Sequence, residues 1–316
     1  MHKILFEVKE EDKNTRLDLV IVLNSNELSR SQVRNYIDAG KVLVNDQVEF
    51  RPNIKVEKGS RVEVRIESED IKPNQIAPEN IPLDILYEDK DLVVINKPAG
   101  LVTHPATGNW SGTLLNGLLF HFKDLVNVGD NIRSGLIHRL DKETSGLVLV
   151  GKTAKGLWYY SRLFAERGVQ KTYIAMITGN IDQIFKEREL KVTNYLGRNP
   201  KFRTKYTKVD AHEGRFSESD IKLIRKFKHK SQVLGWVEVR PKTGRTHQIR
   251  VHLSGLGCPI LGDKLYGKNN QFPRMMLHAW KIEIVCLDGQ KREFEAPIPP
   301  EFNIIARNEY FPKSNK

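Results

Sequence analysis

The sequence predicts an α+β protein in two parts: a small N-terminal α+β unit, then a large domain built on a mainly antiparallel, mixed sheet. Three observations carry this. Residues 12–67 set two helix-like segments beside two segments of strand period. Residues 68–81, "SEDIKPNQIAPENI", hold two prolines and no apolar periodicity, as a linker does. From 82 to 307 strands are not regularly separated by helices, which argues against a doubly wound parallel sheet. A chain of 316 residues is long enough to bury the cores of about two domains.

In the N-terminal unit, "TRLDLVIVLN" carries apolar residues at near-helical spacing. "SRSQVRNYIDAG" predicts a second helix, with Ser29 as N-cap and Gly40 as C-cap. "KVLVNDQVEF" and "SRVEVRIE" alternate with the period of strands, and Asn45-Asp46 marks a turn. Arg16, Arg30, Ser31, Arg34 and Lys41 then cluster on and beside the second helix, where they could contact phosphates. Spacing alone fits an ordinary solvated helix face equally well.

In the large domain, "DILYEDKDLVVINKP" predicts strands and "SGTLLNGLLFHF" a helix. "AKGLWYYSRLFAERG" predicts another helix, with Leu157, Tyr160 and Phe164 on one face and Gly168 ending it. "VQKTYIAMITG" reads as a strand with Lys171 and Tyr173 on the same side. "THQIRVHL" reads as a helix on which Arg245, Gln248 and His252, spaced by three and four, share a face. Residues 308–316 read as a loose basic tail.

Fifty-one Lys and Arg against 39 Asp and Glu give a formal charge of +12, spread along the chain. A polyanionic partner follows, nucleic acid ahead of a membrane surface, with plain solubility as the alternative. Cys258 and Cys286 are too few for a disulfide framework or a thiolate zinc site. His247 and His252 are five apart, off the spacing of a helical metal pair, so no metal is expected. The charged N-terminus and the lack of a membrane-length apolar run predict a soluble, cytoplasmic protein.

One stretch breaks the buried pattern: "SGLIHRLDKETSGLVLVGKT", residues 134–153, puts His138, Arg139 and Asp141 between apolar runs. Asp141 follows an extended segment and precedes Thr144, Ser145 and Gly146, which suits a tight turn between strands. Desolvation there would favour its neutral form and a neighbouring Arg would keep it ionised. The same residues suit a structural Asp paired with Arg. If the segment is a strand, Arg139 and Asp141 both face a cleft while Leu140 anchors the core. Tyr173 beside Lys171 suits a ring that stacks on a base, and equally a core tyrosine.

Six segments, "INKPAGLVTHPATGN" (95–109), "GLIHRLDKETSGLVLVGKT" (135–153), "KTYIA" (171–175), "TGRTHQIRVHL" (243–253), "ILGDKLYG" (260–267) and "LHA" (277–279), resemble the RluA/RluD-type RNA pseudouridine synthase family. The likeness is greatest to its large-ribosomal-subunit branch. The string "RLD", "SRSQVRNYIDAGKVLVND" and the strand after it resemble the alpha-L RNA-binding module, first described in a small-subunit ribosomal protein. Two departures are Asp46, where the module usually has Gly, and Cys258, often His in the family. The segment "HEGRFSESDIKLIRKFKHKSQVLGW" matches only loosely.

The resemblance implies a reaction without metal or cofactor, in which uracil is detached from its ribose, turned, and rejoined through C5. It implies Asp141 as the essential carboxylate, either nucleophile at C1′ or base toward a ribose proton, with Arg245 as its partner. Tyr173 would stack on the target base and help with the C5 proton, and Arg139 would fill the gap left by the flipped uridine. Asn96, Lys97, His104, His138, Lys171, Gln248 and Arg250 would contact substrate. The expected partner is large-subunit (23S) ribosomal RNA, free or within a pre-ribosomal particle, with the protein acting as a monomer. Transfer RNA as substrate, and a non-catalytic assembly factor, are the alternatives.

Overall fold

The structure, a computed structural model, describes residues 2–25, 28, 30–66, 76–105, 110–129, 134–229, 232–267 and 272–306, apart from the side chains of residues 2 and 30–32. The chain divides into two compact units, the first within residues 1–75 and the second from Ile76 onward.

The first unit runs β1 (His2–Glu7), α1 (Leu17–Asn24), α2 (Arg30–Asp38), β2 (Val42–Val44), β3 (Gln47–Val48) and β4 (Arg61–Ile66). Its sheet has the order β1-β4-β2-β3 and is antiparallel throughout. Leu17, Val20 and Ile21 of α1 and Val33 and Ile37 of α2 bury against Val42, Val62, Val64 and Ile66 of the strands. Helix α2 closes as its sequence predicts. Gly40 takes φ 69°, and the Lys41 amide donates to the Tyr36 carbonyl. Asn45 and Asp46 have φ 49° and 65°, the left-handed pair of a two-residue hairpin turn, so Asp46 adopts the conformation a Gly there would. Strand β1 is additional to the predicted elements. Ser29, the predicted N-cap, lies outside the described residues.

The predicted linker needs correction. Residues 68–75 lie outside the described part, but 76–81 are packed structure: Ile76 is buried beside Leu115 and Leu118, and the Asn116 side chain donates to the Ala77 carbonyl at 2.8 Å. A polar stretch can be ordered when its backbone groups find such partners. The predicted tail, 308–316, lies outside the described residues.

The second unit begins with β5 (Ile85–Glu88), β6 (Leu92–Lys97), α3 (Leu114–His121), β7 (Ser145–Gly151), α4 (Ala154–Ala165), β8 (Gln170–Thr178) and α5 (Ile181–Ile184). It continues with β9 (Glu189–Arg198), β10 (Tyr206–Val209), β11 (Arg215–His229), β12 (Gln232–Pro241), α6 (Gln248–Gly255), β13 (Leu277–Val285), β14 (Lys291–Glu295) and α7 (Pro300–Ile305). The ten strands form one sheet, β10-β9-β11-β12-β8-β13-β7-β6-β5, with β14 on β13. β13–β7 is parallel and the other pairings are antiparallel.

Strands β6 and β7 read as unbroken apolar runs because both their faces are covered. Val93, Ile95, Val148 and Val150 pack under α3, while Leu92, Val94, Leu147 and Leu149 pack with Tyr160 of α4. Both helices start on a threonine whose hydroxyl accepts an amide of the first turn, Thr113 from Asn116 and Thr153 from Gly156. In α4 the left-handed residue after the helix is Arg167, φ 62°, one place before the predicted Gly168.

Strands β7 and β13 meet through Ser145–His278 and Ala279–Gly146. The approach is close enough that a Cβ on Gly146, φ 111°, would lie 2.2 Å from the Ala279 carbonyl oxygen. Three histidines are built into the packing as neutral rings. His138 stacks on Phe164 at 4.6 Å and its Nε2 accepts the Leu149 amide at 3.0 Å. His278 Nδ1 is hydrogen-bonded to Ser145 Oγ at 2.8 Å, and His252 Nε2 to Ser217 Oγ at 3.0 Å. Burial pushes their pKa values down to about 3, 3 and 4, with the Lys171 charge adding to the effect at His138.

Two expectations follow. Gly146→Ala combines overpacking, typically about 1–3 kcal/mol, with backbone strain, so urea denaturation should show a loss of that order or more. An unchanged midpoint would mean that β7 and β13 can separate freely. The neutral histidines contribute stability that is complete above an unfolded pKa of about 6.5 and is lost as pH falls toward about 3–4. Urea midpoints should therefore drop between pH 7 and pH 5, and replacing His138 with Gln should shrink that drop.

Candidate active site

The turn bearing Asp141 is pinned from below. The Leu140 amide and carbonyl both bond the Thr103 hydroxyl, at 3.3 and 2.7 Å, and the Thr144 amide donates to the Asp141 carbonyl at 3.1 Å. Lys97 is fully buried underneath, and its ammonium donates to the carbonyls of Pro98 and Leu101 at 2.8 Å and of Lys142 at 3.2 Å. Those three acceptors match its three hydrogens. Burial pushes the Lys97 pKa down to about 7. Lys97, expected to touch substrate, is instead a brace, because an ammonium with all its donors in use has none for a ligand. Residues 139–141 are an extended loop rather than the expected strand, though Leu140 is buried, Arg139 exposed and Asp141 partly exposed as the alternation requires.

The Asp141 carboxylate accepts from Arg250 Nη1 at 3.2 Å, and His247 Nε2 stands 3.7 Å away. The other edge of the Arg250 guanidinium forks onto the fully buried Asp263, Nε to Oδ2 at 2.8 Å and Nη2 to Oδ1 at 2.9 Å. Burial by itself would raise the Asp263 pKa; the Arg250 hydrogen bonds override it and hold the pKa below the usual carboxylate value. A guanidinium oriented by a bidentate partner presents its remaining N–H to Asp141 with little freedom left to lose.

The predicted Asp141–Arg245 pair is therefore wrong. Helix α6 starts at Gln248 after His247, which takes a left-handed φ of 57°, so Arg245 lies outside the helix and the assumed helical spacing does not apply to it. Its Nε donates to the Phe216 carbonyl at 3.0 Å, although Arg245 still lines the rim of the cleft. Gln248, expected at the substrate, is consumed by structure. Its Oε1 accepts from the Thr243 hydroxyl and the Arg245 amide, and its Nε2 donates to the Glu218 carbonyl and Ser219 hydroxyl. With those contacts it fixes the 243–248 loop.

Asp141, Arg139, Lys171, Tyr173, His247 and Arg250 line a cleft of about 140 Å³. Burial raises the Tyr173 hydroxyl pKa and the Asp141 charge raises it further, so the phenol stays protonated. Burial lowers the pKa of Lys171, whose ammonium sits 5.7 Å from the Phe164 ring centroid. At the mouth, Arg139 Nη1 donates to His104 Nε2 at 3.1 Å.

Two further expected contacts are not brought to the cleft. His138 has its Nε2 committed to the Leu149 amide and its ring face to Phe164. Asn96 donates to Asp84 Oδ2 at 2.8 Å across the β5–β6 side of the sheet. In the N-terminal unit, Arg34 is exposed, while Arg16 holds Asp18 through two bonds of 2.9 and 3.0 Å. Lys41 is partly exposed, and the side chains of Arg30 and Ser31 lie outside the described part.

Residue reasoning missed His247, Asp263 and Tyr266. The Tyr266 hydroxyl bonds His247 Nδ1 at 2.9 Å and accepts the Tyr206 amide at 2.7 Å, and Arg250 lies over its ring at 5.0 Å. The available signal was the acid and the tyrosine three residues apart in "GDKLYG".

A sequence model of RNA pseudouridylate synthase matches residues 91–255, and one of the S4 domain matches 15–62, within the segment that resembles the alpha-L module. An "Uncharacterized RNA pseudouridine synthase" of Aquifex aeolicus is 35% identical over 86% of this chain and 84% of its own. "Ribosomal large subunit pseudouridine synthase D" of Borreliella burgdorferi is 33% identical over 96% and 92%, and its namesake in Haemophilus influenzae 35% over 94% and 91%. Among solved structures, Human RNA Pseudouridylate Synthase Domain Containing 1 superposes with a TM-score of 0.56 at 27% identity, covering 72% of this chain and 86% of that one. Likeness in sequence over nearly the whole length, joined by likeness in fold over 72% of it, leads to one conclusion: the chain belongs to the RNA pseudouridylate synthase family.

Proposed function

We propose that this RNA pseudouridine synthase acts on uridines of large-subunit (23S) ribosomal RNA, as a cytoplasmic monomer, with Asp141 as the reacting carboxylate. The observation that carries the assignment of Asp141 is its 3.2 Å contact with an Arg250 already locked on Asp263, at the wall of a cleft that Tyr173 and Lys171 also line. The names of the Borreliella and Haemophilus relatives support the ribosomal substrate.

Isomerisation breaks the bond between N1 and C1′, forms one between C5 and C1′, and moves the C5 proton off carbon while N1 regains one. Attack at C1′ and removal of a ribose proton both require an ionised carboxylate, and the Arg250 N–H faces the Asp141 oxygen at 3.2 Å. Tyr173 offers its ring to the uracil face and a protonated hydroxyl for a hydrogen bond near Asp141. Arg139, exposed at the mouth, is placed to fill the space of the displaced nucleotide, whose extrusion costs a few kcal/mol. Lys171 lies within reach of a negatively charged substrate oxygen. Arg34 and Lys41 in the S4 domain are available to phosphates.

The test is tritium release from C5-labelled, unmodified 23S RNA, paired with thermal melting. Asp141→Asn should remain folded and release no tritium above background; normal release would end the assignment. Arg250→Lys, which keeps the charge but loses the fork that positions it, should reduce turnover by about 100-fold, the usual cost of misplacing a reacting group by about 1 Å. Arg245→Lys should retain activity within about tenfold. Tyr173→Phe should bind RNA as well as the unchanged protein and turn over more slowly; full activity would leave the ring as the working part.

A further inference from the structure

A bound RNA strand extends beyond its target uridine over the surface beside the cleft, and the hairpin after β9 is both linked to the cleft and chemically suited to RNA. Residues 197–208, "GRNPKFRTKYTK", span the turn between β9 and β10 and carry Arg198, Lys201, Arg203, Lys205 and Lys208 with no carboxylate. On the neighbouring strands several exposed cations are paired, Lys191 with Glu218, Lys222 with Glu189 and Lys226 with Asp182. Lys201, Arg203 and Lys205 form no ion pair among the described residues. Phe202, at the tip, is 60% exposed, so its ring face is open to a ligand.

The tip is a built turn. Asn199 Oδ1 accepts the amides of Lys201 and Phe202, both at 2.9 Å, and the Asn199 and Lys205 backbones close on each other at 2.9 Å. Lys205 lies 5.5 Å from the Phe202 ring centroid and 5.9 Å from that of Tyr266. The base of the hairpin is tied to the cleft wall: the Tyr206 amide donates to Tyr266 Oη, which bonds His247, the lining residue 3.7 Å from Asp141. Arg198 sits over the Tyr206 ring at 6.0 Å.

We propose that the β9–β10 hairpin is a second RNA subsite, in which Phe202 stacks on a base flanking the target uridine while Lys201, Arg203 and Lys205 hold the adjoining phosphates. The proposal rests on the reading of this chain as an enzyme that accepts a flipped uridine from a longer RNA. An aromatic face accepts any base, and the cations give affinity without sequence preference, so the subsite serves to hold the strand rather than to choose the uridine.

The experiment uses the full chain and two RNAs, unmodified transcribed 23S RNA for turnover and a single-stranded oligouridylate for binding by fluorescence anisotropy. Stacking is worth about 1–3 kcal/mol per base, which converts to roughly 5-fold to 150-fold. Phe202→Ala should therefore raise KM and the oligouridylate Kd about tenfold with kcat within about twofold, and Phe202→Trp should restore both. Replacing Lys201, Arg203 and Lys205 together with Gln should make the dependence of log K on log salt shallower by about 2, three contacts at about 0.7 each. Oligouridylate affinity unchanged in Phe202→Ala overturns the proposal, as does a fall in kcat with KM unchanged, which would make the ring a brace of the cleft. If the unchanged protein binds oligouridylate through Phe202 yet releases no tritium from 23S RNA, the substrate reading fails and the subsite stands.

Discussion

The arrangement depends on one arginine with two carboxylates. Arg250 spends its bidentate edge on Asp263 and one remaining N–H on Asp141. The asymmetry matters because the buried carboxylate orients the cation and the half-exposed one receives it. With a single carboxylate partner, the same guanidinium would settle against it as a structural pair and leave little of it for chemistry. Asp263 prevents that, and its own backbone bonds from Leu265 and Tyr266 fix it in turn. Buried ion pairs are weak stabilisers in general, so this triad is better understood as a positioning device.

A second constraint delivers Asp141 to that arginine. The turn is clamped by Thr103 from the side and by the Lys97 ammonium from below, while β7, entered immediately afterwards, is held against β13 by an approach only glycine allows at position 146. The parallel join between the two halves of the sheet at Gly146 and the Asp141 carboxylate are thus five residues apart in sequence. Stability and site geometry are coupled here because the same backbone segment serves both.

The two parts and the α+β class were legible in the sequence because hydrophobic period and turn chemistry are local properties. The Asn45-Asp46 turn, the Gly40 cap and the Lys171–Tyr173 strand face each follow from a few adjacent residues. Asp141 stood out because an acid and a base interrupted buried runs. The partner of that acid did not, since "TGRTHQIRVHL" offers two arginines to choose from. Family resemblance and helical spacing pointed to Arg245; the left-handed His247 starts the helix later and leaves Arg250 as the residue that reaches.

What the sequence determined by itself was the α+β class, most of the N-terminal unit's elements and the prominence of Asp141 between buried runs. The tertiary structure decided which polar groups remain free to meet a substrate. Lys97, His138 and Gln248 carry side chains suited to RNA contact, yet each is used up by backbone or hydroxyl partners, at least one of them brought from 11 to 45 residues away. Asp263 and His247 gain their roles only because folding places them beside Arg250 and Asp141. Hydrogen-bond satisfaction in a buried site depends on every neighbour at once, and that information is absent from any local stretch of sequence.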